Sequence, residues 1–245
     1  NKRKHFFVVK KCFLFCLKGG RWMKKWLFGF LGVALIVFCS VFGYVSYQKH
    51  EGDVFKQNIE KKMPVDQINA HAKSYKEDAT NVNNDMSLGQ MLSIQKEAIE
   101  MGVNKQVFAQ IQIPALGLAL PIFKGANQYT LSLGAATYFY EDAEMGKGNY
   151  VLAGHNMEMP GVLFSDIQKL SLGEVMDLVS NDGVYRYKVT RKFIVPEYFK
   201  LIDGVPEKNS FLSLPKKGEK PLLTLFTCVY TSQGKERYVV QGELQ

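Results

Sequence analysis

Histidine, cysteine and late arginine are scarce in this chain. Beyond residue 107 there is one histidine, His155, and one cysteine, Cys228, and after Cys228 there is one arginine, Arg237. The other three cysteines, Cys12, Cys16 and Cys39, fall in or before a long apolar run. A lone downstream cysteine has no partner for an intramolecular disulfide, which excludes a disulfide-stapled scaffold. Cys228 is therefore either a small buried apolar residue or a reactive thiol. No metal-ligand cluster, phosphate-binding glycine loop, nucleotide motif or internal repeat is present. Basic excess is missing too, despite a net charge of +8. Residues 1–25 hold nine Lys/Arg and no acid, which leaves 22 basic against 23 acidic residues in the remainder. Nucleic-acid binding needs a basic patch on the folded domain itself. Here the excess flanks an apolar segment instead.

Charge is absent altogether from residues 26–47, WLFGFLGVALIVFCSVFGYVSY. A helix of 22 residues at about 1.5 Å per residue is long enough for a bilayer core. Trp22 and Trp26 stand at one end, and Tyr44 and Tyr47 at the other, as an aromatic belt would place them. Lys24 and Lys25 precede the run, so the positive-inside rule puts residues 1–25 in the cytoplasm and the chain after about residue 48 outside. The run is long for a signal-peptide core and lacks an A-x-A-like cleavage site, which reads as an uncleaved anchor. Met23-Lys24-Lys25 looks like an ordinary start, and translation is expected to begin there.

Residues 48–84 are polar and lysine-rich and read as a partly helical stalk; residues 85–245 read as the main domain, opening with a helix. Ser87 stands at an N-cap position ahead of Leu88, Met91, Leu92, Ile94, Gln95, Ala98, Ile99 and Met101, whose spacing is near-helical, and Gly102 is a stop signal. From residue 107 short alternating strands take over: 108–113, 118–120, 149–153, 174–179, 185–189, 222–228 and 237–240. Ser180-Asn181-Asp182-Gly183 is a hairpin signal between two of them. Residues 162–167 are expected to form a short helix and residues 196–221 a large loop, a feature often functional in compact domains. Such strands at such spacing indicate a barrel or a sandwich.

A cysteine and a histidine are the minimum for thiolate acyl transfer: the thiol attacks and the imidazole protonates the leaving amine, and a nearby cation such as Arg237 can stabilise the oxyanion. Spacing does not show that the three meet. The local sequence adds to this. Thr224-Leu225-Phe226-Thr227-Cys228 resembles the Thr-Leu-x-Thr-Cys signature of the sortases. Ala153-Gly154-His155-Asn156 is similar to their histidine segment, and Arg237-Tyr238-Val239-Val240-Gln241-Gly242 to their arginine strand, in the family's order. The resemblance covers about residues 107–244.

That resemblance implies a mostly β fold, an eight-stranded closed barrel with short helices. It implies cleavage of a Leu-Pro-x-Thr-Gly-like signal on surface proteins between Thr and Gly, a thioacyl intermediate on Cys228, and transfer to an amine of a lipid-linked peptidoglycan precursor. His155 would be the general acid and then base. Arg237 would bind substrate backbone and stabilise the oxyanion, and Thr227 would help form the oxyanion site. Ala153, Phe226 and Val239 stand where the family lines its signal groove. Glu141, Asp142 and Glu144 stand upstream of His155, where some class A members bind calcium; no other cofactor is implied. The single apolar run, and Asp53-Val54-Phe55 without the proline of the pilus enzymes' lid motif, favour the housekeeping class A type. A pilin-polymerising sortase and a non-enzymatic, membrane-tethered β-barrel binding module are the competing readings. An L,D-transpeptidase would carry a histidine just before its cysteine, and a papain-type protease has its cysteine early and histidine late. With ordinary thiol and imidazole pKa values of about 8.5 and 6.5, a neutral pair would dominate and activity would peak between them.

Overall fold

The computed structural model describes residues 28–47, 49–55, 57, 68–77, 86–198, 201–202, 205–207 and 210–245. The basic segment 1–25, the start expected at Met23 and most of the stalk expected over 48–84 lie outside these residues. The chain divides into two units, Asn1–His50 and Glu51–Gln245.

Helix α1, which runs over Phe28–Phe55, is long and apolar enough to cross a membrane. It carries the charge-free run, and Phe28, Leu35, Phe38 and Phe42 along it are exposed. The helix continues past the expected end at residue 47. Within the second unit, Phe55 is a buried core residue.

The second unit opens on α2, Leu88–Glu100. Ser87 caps it reciprocally with Gln90, each side chain accepting from the other's backbone N–H. Met91, Gln95 and Ala98 form its buried face. Gly102 takes a left-handed φ of 77° just beyond its end, as the sequence indicates.

Eight strands then close a barrel: β1 Ala109–Ile113, β2 Leu118–Phe123, β3 Ala135–Thr137, β4 Asn149–Ala153, β5 Val175–Ser180, β6 Gly183–Pro196, β9 Leu222–Thr231 and β10 Gly234–Leu244. Their order round the barrel is β1-β2-β3-β4-β9-β10-β6-β5. Two-residue strands β7, Leu201–Ile202, and β8, Val205–Pro206, pair with each other inside the long loop. Closure pairs every strand on both sides and leaves no edge for aggregation. The β5–β6 hairpin turns on Asn181-Asp182, with Ser180 opposite Gly183. Alternation in β6 buries Tyr187 and Val189. Tyr150, Tyr187, Phe123, Phe164, Ile111 and Ile122 are among the largest fully buried side chains.

Three local features differ from the sequence expectation. Residues 162–166 form turns, with Leu163 bridged to Asn156, and the short helix is a 3₁₀ turn at Ile167–Lys169. Phe164 and Ser165 each donate backbone N–H bonds to nearby carbonyls of this loop, a geometry the apolar pattern 162–167 does not reveal. Helix α3, Gln128–Leu133, is capped by Asn127 with Thr130, and β3 pairs parallel to β2. At six and three residues, both are too short to show a period.

Candidate functional site

Strand β9 lies between β4 and β10, and the candidate residues gather where these three meet. Cross-strand register places Arg237 of β10 directly opposite Cys228 of β9. Directly opposed residues of an antiparallel pair share a face, and the Arg237 Nη1 donates to Cys228 Sγ over 2.6 Å. Two residues along, on the same face, Ala153, Phe226 and Val239 stand in register across β4, β9 and β10. All three are buried, so they form a floor beside the cysteine. The Phe226 ring meets Tyr138 edge-on at 5.1 Å and Phe211 at 5.4 Å, and the Arg237 guanidinium sits 5.8 Å from its centroid.

Beyond Phe226 the same face becomes polar. Thr224 donates to Asn149 Oδ1 (2.6 Å), and Gln241 Nε2 donates to Thr224 (2.9 Å) and to the Phe211 carbonyl (3.0 Å). Asn149 Nδ2 also donates to the Phe211 carbonyl, 2.9 Å. These buried groups are mutually satisfied, which lets them fix the loop at Phe211 against three strands without a desolvation penalty. The first threonine of the cysteine motif is thus a structural residue.

His155 follows β4 after a single glycine. A Cβ on Gly154 would stand 2.4 Å from the Phe164 ring, so only glycine fits there. Thr227 donates its hydroxyl to the Gly154 carbonyl (2.7 Å), and Gly154 N–H donates to Phe226 O (3.2 Å). Asn156 Nδ2 donates to Cys228 O, 3.0 Å. These bonds bind the histidine segment to the cysteine strand from both sides of His155.

His155 is 4% exposed, and its Nε2 has no hydrogen-bond partner. Burial, then the positive charges of Arg237 and Lys235, lower its pKa to about 4. The imidazole is neutral at physiological pH. His155 and Cys228 line one cleft of about 320 Å³ together with Ser87, Asn156, Glu158 and Tyr230.

Arg237 is aimed from behind. Its Nη2 lies 4.0 Å from Glu197 Oε1, which Lys235 Nζ approaches to 3.7 Å. Glu197 lies outside every motif, and Asn156 stands in the histidine motif without a role assigned to it. Asn156 is adjacent to His155 and so within reach of inspection, whereas Glu197 meets Arg237 only through the β6–β10 pairing.

Glu141, Asp142 and Glu144 line a different cleft with Tyr140 and Lys147. The Glu144 carboxylate is 2.5 Å from Lys147 Nζ. Among the described residues no group of three or more His, Cys, Asp or Glu is disposed to hold a metal ion. As arranged, the three acids do not make a calcium cage, which needs six or more converging oxygens.

The family model for the Sortase domain matches residues 111–245. Sortase A of Bacillus anthracis is 41% identical over 140 residues, which cover 57% of this chain and 60% of that protein. Sortase A of Listeria monocytogenes is 32% identical over 174 residues, covering 71% of this chain and 72% of that protein. The solved structure of the Listeria monocytogenes sortase A, 33% identical, matches 57% of this chain and 87% of that one with a TM-score of 0.48. With a family model covering more than half its length, and a barrel that brings the cysteine, histidine and arginine motifs to one place, this chain belongs to the sortase family.

Proposed function

We propose that this protein is a membrane-anchored cysteine transpeptidase of the class A type. It cleaves Leu-Pro-x-Thr-Gly-like signals between Thr and Gly and joins the Thr carboxyl to an amine of a cell-wall precursor. Helix α1 is the anchor, and the lysines before it argue for a cytoplasmic N-terminus and an extracellular barrel. The observation that carries the reading is the Arg237–Cys228 contact of 2.6 Å in a cleft shared with an unpartnered, buried imidazole nitrogen.

Cys228 is the nucleophile. Its thiol proton passes to neutral His155 while the Arg237 guanidinium holds the sulfur charge. Sγ attacks the Thr carbonyl carbon, and the oxyanion is met by Arg237. The C–N bond breaks and His155 returns the proton to the leaving glycine amine. In the second half the acceptor nitrogen attacks, the C–S bond breaks, and the proton returns through His155 to Cys228. Thr227, its hydroxyl bonded to Gly154, serves the oxyanion site by holding β9 against the histidine segment. Ala153, Phe226 and Val239 form the floor of the signal groove. None of these steps is routed through a metal. Calcium stays an expectation on ligand chemistry alone, checked by repeating the assay with a chelator.

The test is mass spectrometry of the full chain in detergent with a Leu-Pro-x-Thr-Gly peptide and an amine, beside Cys228→Ala. Cleavage after Thr with ligation, and a thioacyl adduct on Cys228, are expected for the wild type alone. Cleavage that survives in Cys228→Ala overturns the assignment.

A further inference from the structure

A second cleft, about 400 Å³, opens beside the one that holds Cys228 and His155. The two share Asn156, Glu158 and Tyr230 as a common wall. It is walled by residues of the 156–169 segment on one side and by Val229 and Tyr230 of β9 on the other. Arg237 flanks Cys228 from β10, whereas the His155 segment flanks it from β4, on the other side of β9.

Two acidic residues line this outer cleft, and they differ. Asp166 accepts from Gly161 N–H (2.6 Å) and pairs with Lys169 Nζ (2.7 Å), so its charge is answered locally. The Glu158 side chain is exposed, and among the described residues its carboxylate has neither an ion-pair nor a hydrogen-bond partner. Its backbone is held at φ 53°, with its N–H donated to Asn156 Oδ1 over 2.9 Å. Asn156 is in turn bonded to the Cys228 carbonyl. The inner cleft, across the shared wall, is lined by His155, whose Nε2 is nine-tenths buried and unpartnered. A free anion at the mouth and a free proton acceptor inside the same wall suit one ligand chemistry, a group that arrives as a cation and must lose protons to react.

We propose that the outer cleft is the entry site of the second substrate, a primary ammonium group on a cell-wall peptide, and that Glu158 is the carboxylate that captures it. This rests on the transpeptidase reading above. The wall that the two clefts share leads from the outer cleft to Cys228, where the thioester carbon would stand. The captured ammonium gives one proton to water and becomes a nucleophile. Its nitrogen forms the new C–N bond as the C–S bond breaks, and its second proton passes to His155 Nε2 and on to Cys228 Sγ. The products are the amide and the free thiol. On this reading Glu158 meets the acceptor amine, so its main influence falls on the second half-reaction.

The test uses the full chain in detergent, a Leu-Pro-x-Thr-Gly peptide and two acceptors: glycinamide, cationic at neutral pH, and hydroxylamine, which is uncharged there. The readout is the partition ratio of ligated to hydrolysed product, which is independent of how much enzyme is active. Glu158→Gln is expected to lower the ratio for glycinamide about two- to fivefold, the size of a partly exposed ion pair, and to spare the ratio for hydroxylamine. Glu158→Lys should lower the glycinamide ratio further, and added salt should shrink the wild-type advantage. Equal ratios for wild type and Glu158→Gln with glycinamide overturn the proposal, as does an equal fall for both acceptors. Failure of the wild type to cleave the peptide at all overturns the parent reading, and this one with it.

Discussion

Replacing His155 by glutamine should make the barrel more tolerant of acid, and the size follows from the burial of the imidazole. In the unfolded chain the histidine titrates near its ordinary pKa of about 6.5. In the folded chain burial and the Arg237 and Lys235 charges hold it near 4. Between those values the unfolded state binds a proton that the native state refuses. The His155 contribution to stability is therefore intact above pH 6.5 and declines as pH falls toward 4. At about pH 4.5 the loss is roughly 2–3 kcal/mol, from the two pKa values and about 1.36 kcal/mol per unit. Carboxylates also titrate in this range, so the comparison with His155→Gln isolates the imidazole. Urea unfolding of the full chain in detergent would be followed by near-UV circular dichroism of the tyrosines, since both tryptophans, Trp22 and Trp26, precede the barrel. Wild type should lose roughly 2–3 kcal/mol more than His155→Gln between neutral pH and about pH 4.5. Equal losses, within about 0.5 kcal/mol, would refute the argument that His155 is buried and neutral.

Arg237→Lys keeps the charge but loses the fork that reaches both Sγ and Glu197; kcat/KM for the sorting peptide should fall about 10²- to 10³-fold, and a change under about threefold would remove Arg237 from the reaction. Glu197→Gln should cost far less, about three- to tenfold, with thioacylation slowed more than peptide binding; an effect confined to KM would show that Glu197 does not aim the guanidinium. Gly125→Ala places a Cβ 1.8 Å from the Tyr75 carbonyl, so the Tyr75 N–H to Lys124 O bond should break and proteolysis within residues 68–77 should accelerate while the barrel stays folded. An unchanged digestion pattern would show that this segment is not held by that contact.

The sequence makes some of this fold plain and hides the rest for physical reasons. The strand at 149–153 is visible because five apolar-rich residues sit between a glycine turn and a glycine, and the hairpin at 180–183 because asparagine and aspartate favour its turn conformation. The Ser87 cap is visible because its hydroxyl and the Gln90 side chain act locally. Helix α3, strand β3 and the 162–166 turns are opaque, because each is set by what it packs against. The site divides the same way. Cys228, His155 and Arg237 are legible as scarce residues in recognisable motifs. Their convergence depends on the order β4-β9-β10, which no local pattern encodes, and so does the role of Glu197 behind Arg237. Thr224 and Gln241 fall within the motifs, yet their partners, Asn149 and the Phe211 carbonyl, lie far off in sequence.

The cysteine and the arginine are rungs of one ladder in a barrel without edges, whereas the histidine hangs from a loop. The spacing between nucleophile and cation is therefore a property of the whole closed sheet. Nothing short of opening the barrel would change it. The placement of the proton carrier is a property of residues 154–165 and the few bonds that pin them. In the proposed reaction, thiol activation and proton transfer are thus under separate structural control. Loop changes near Phe164 or Asn156 can retune acid–base timing and acceptor choice while the sulfur and its cation stay where they are, which makes that loop the natural place for related enzymes to diverge.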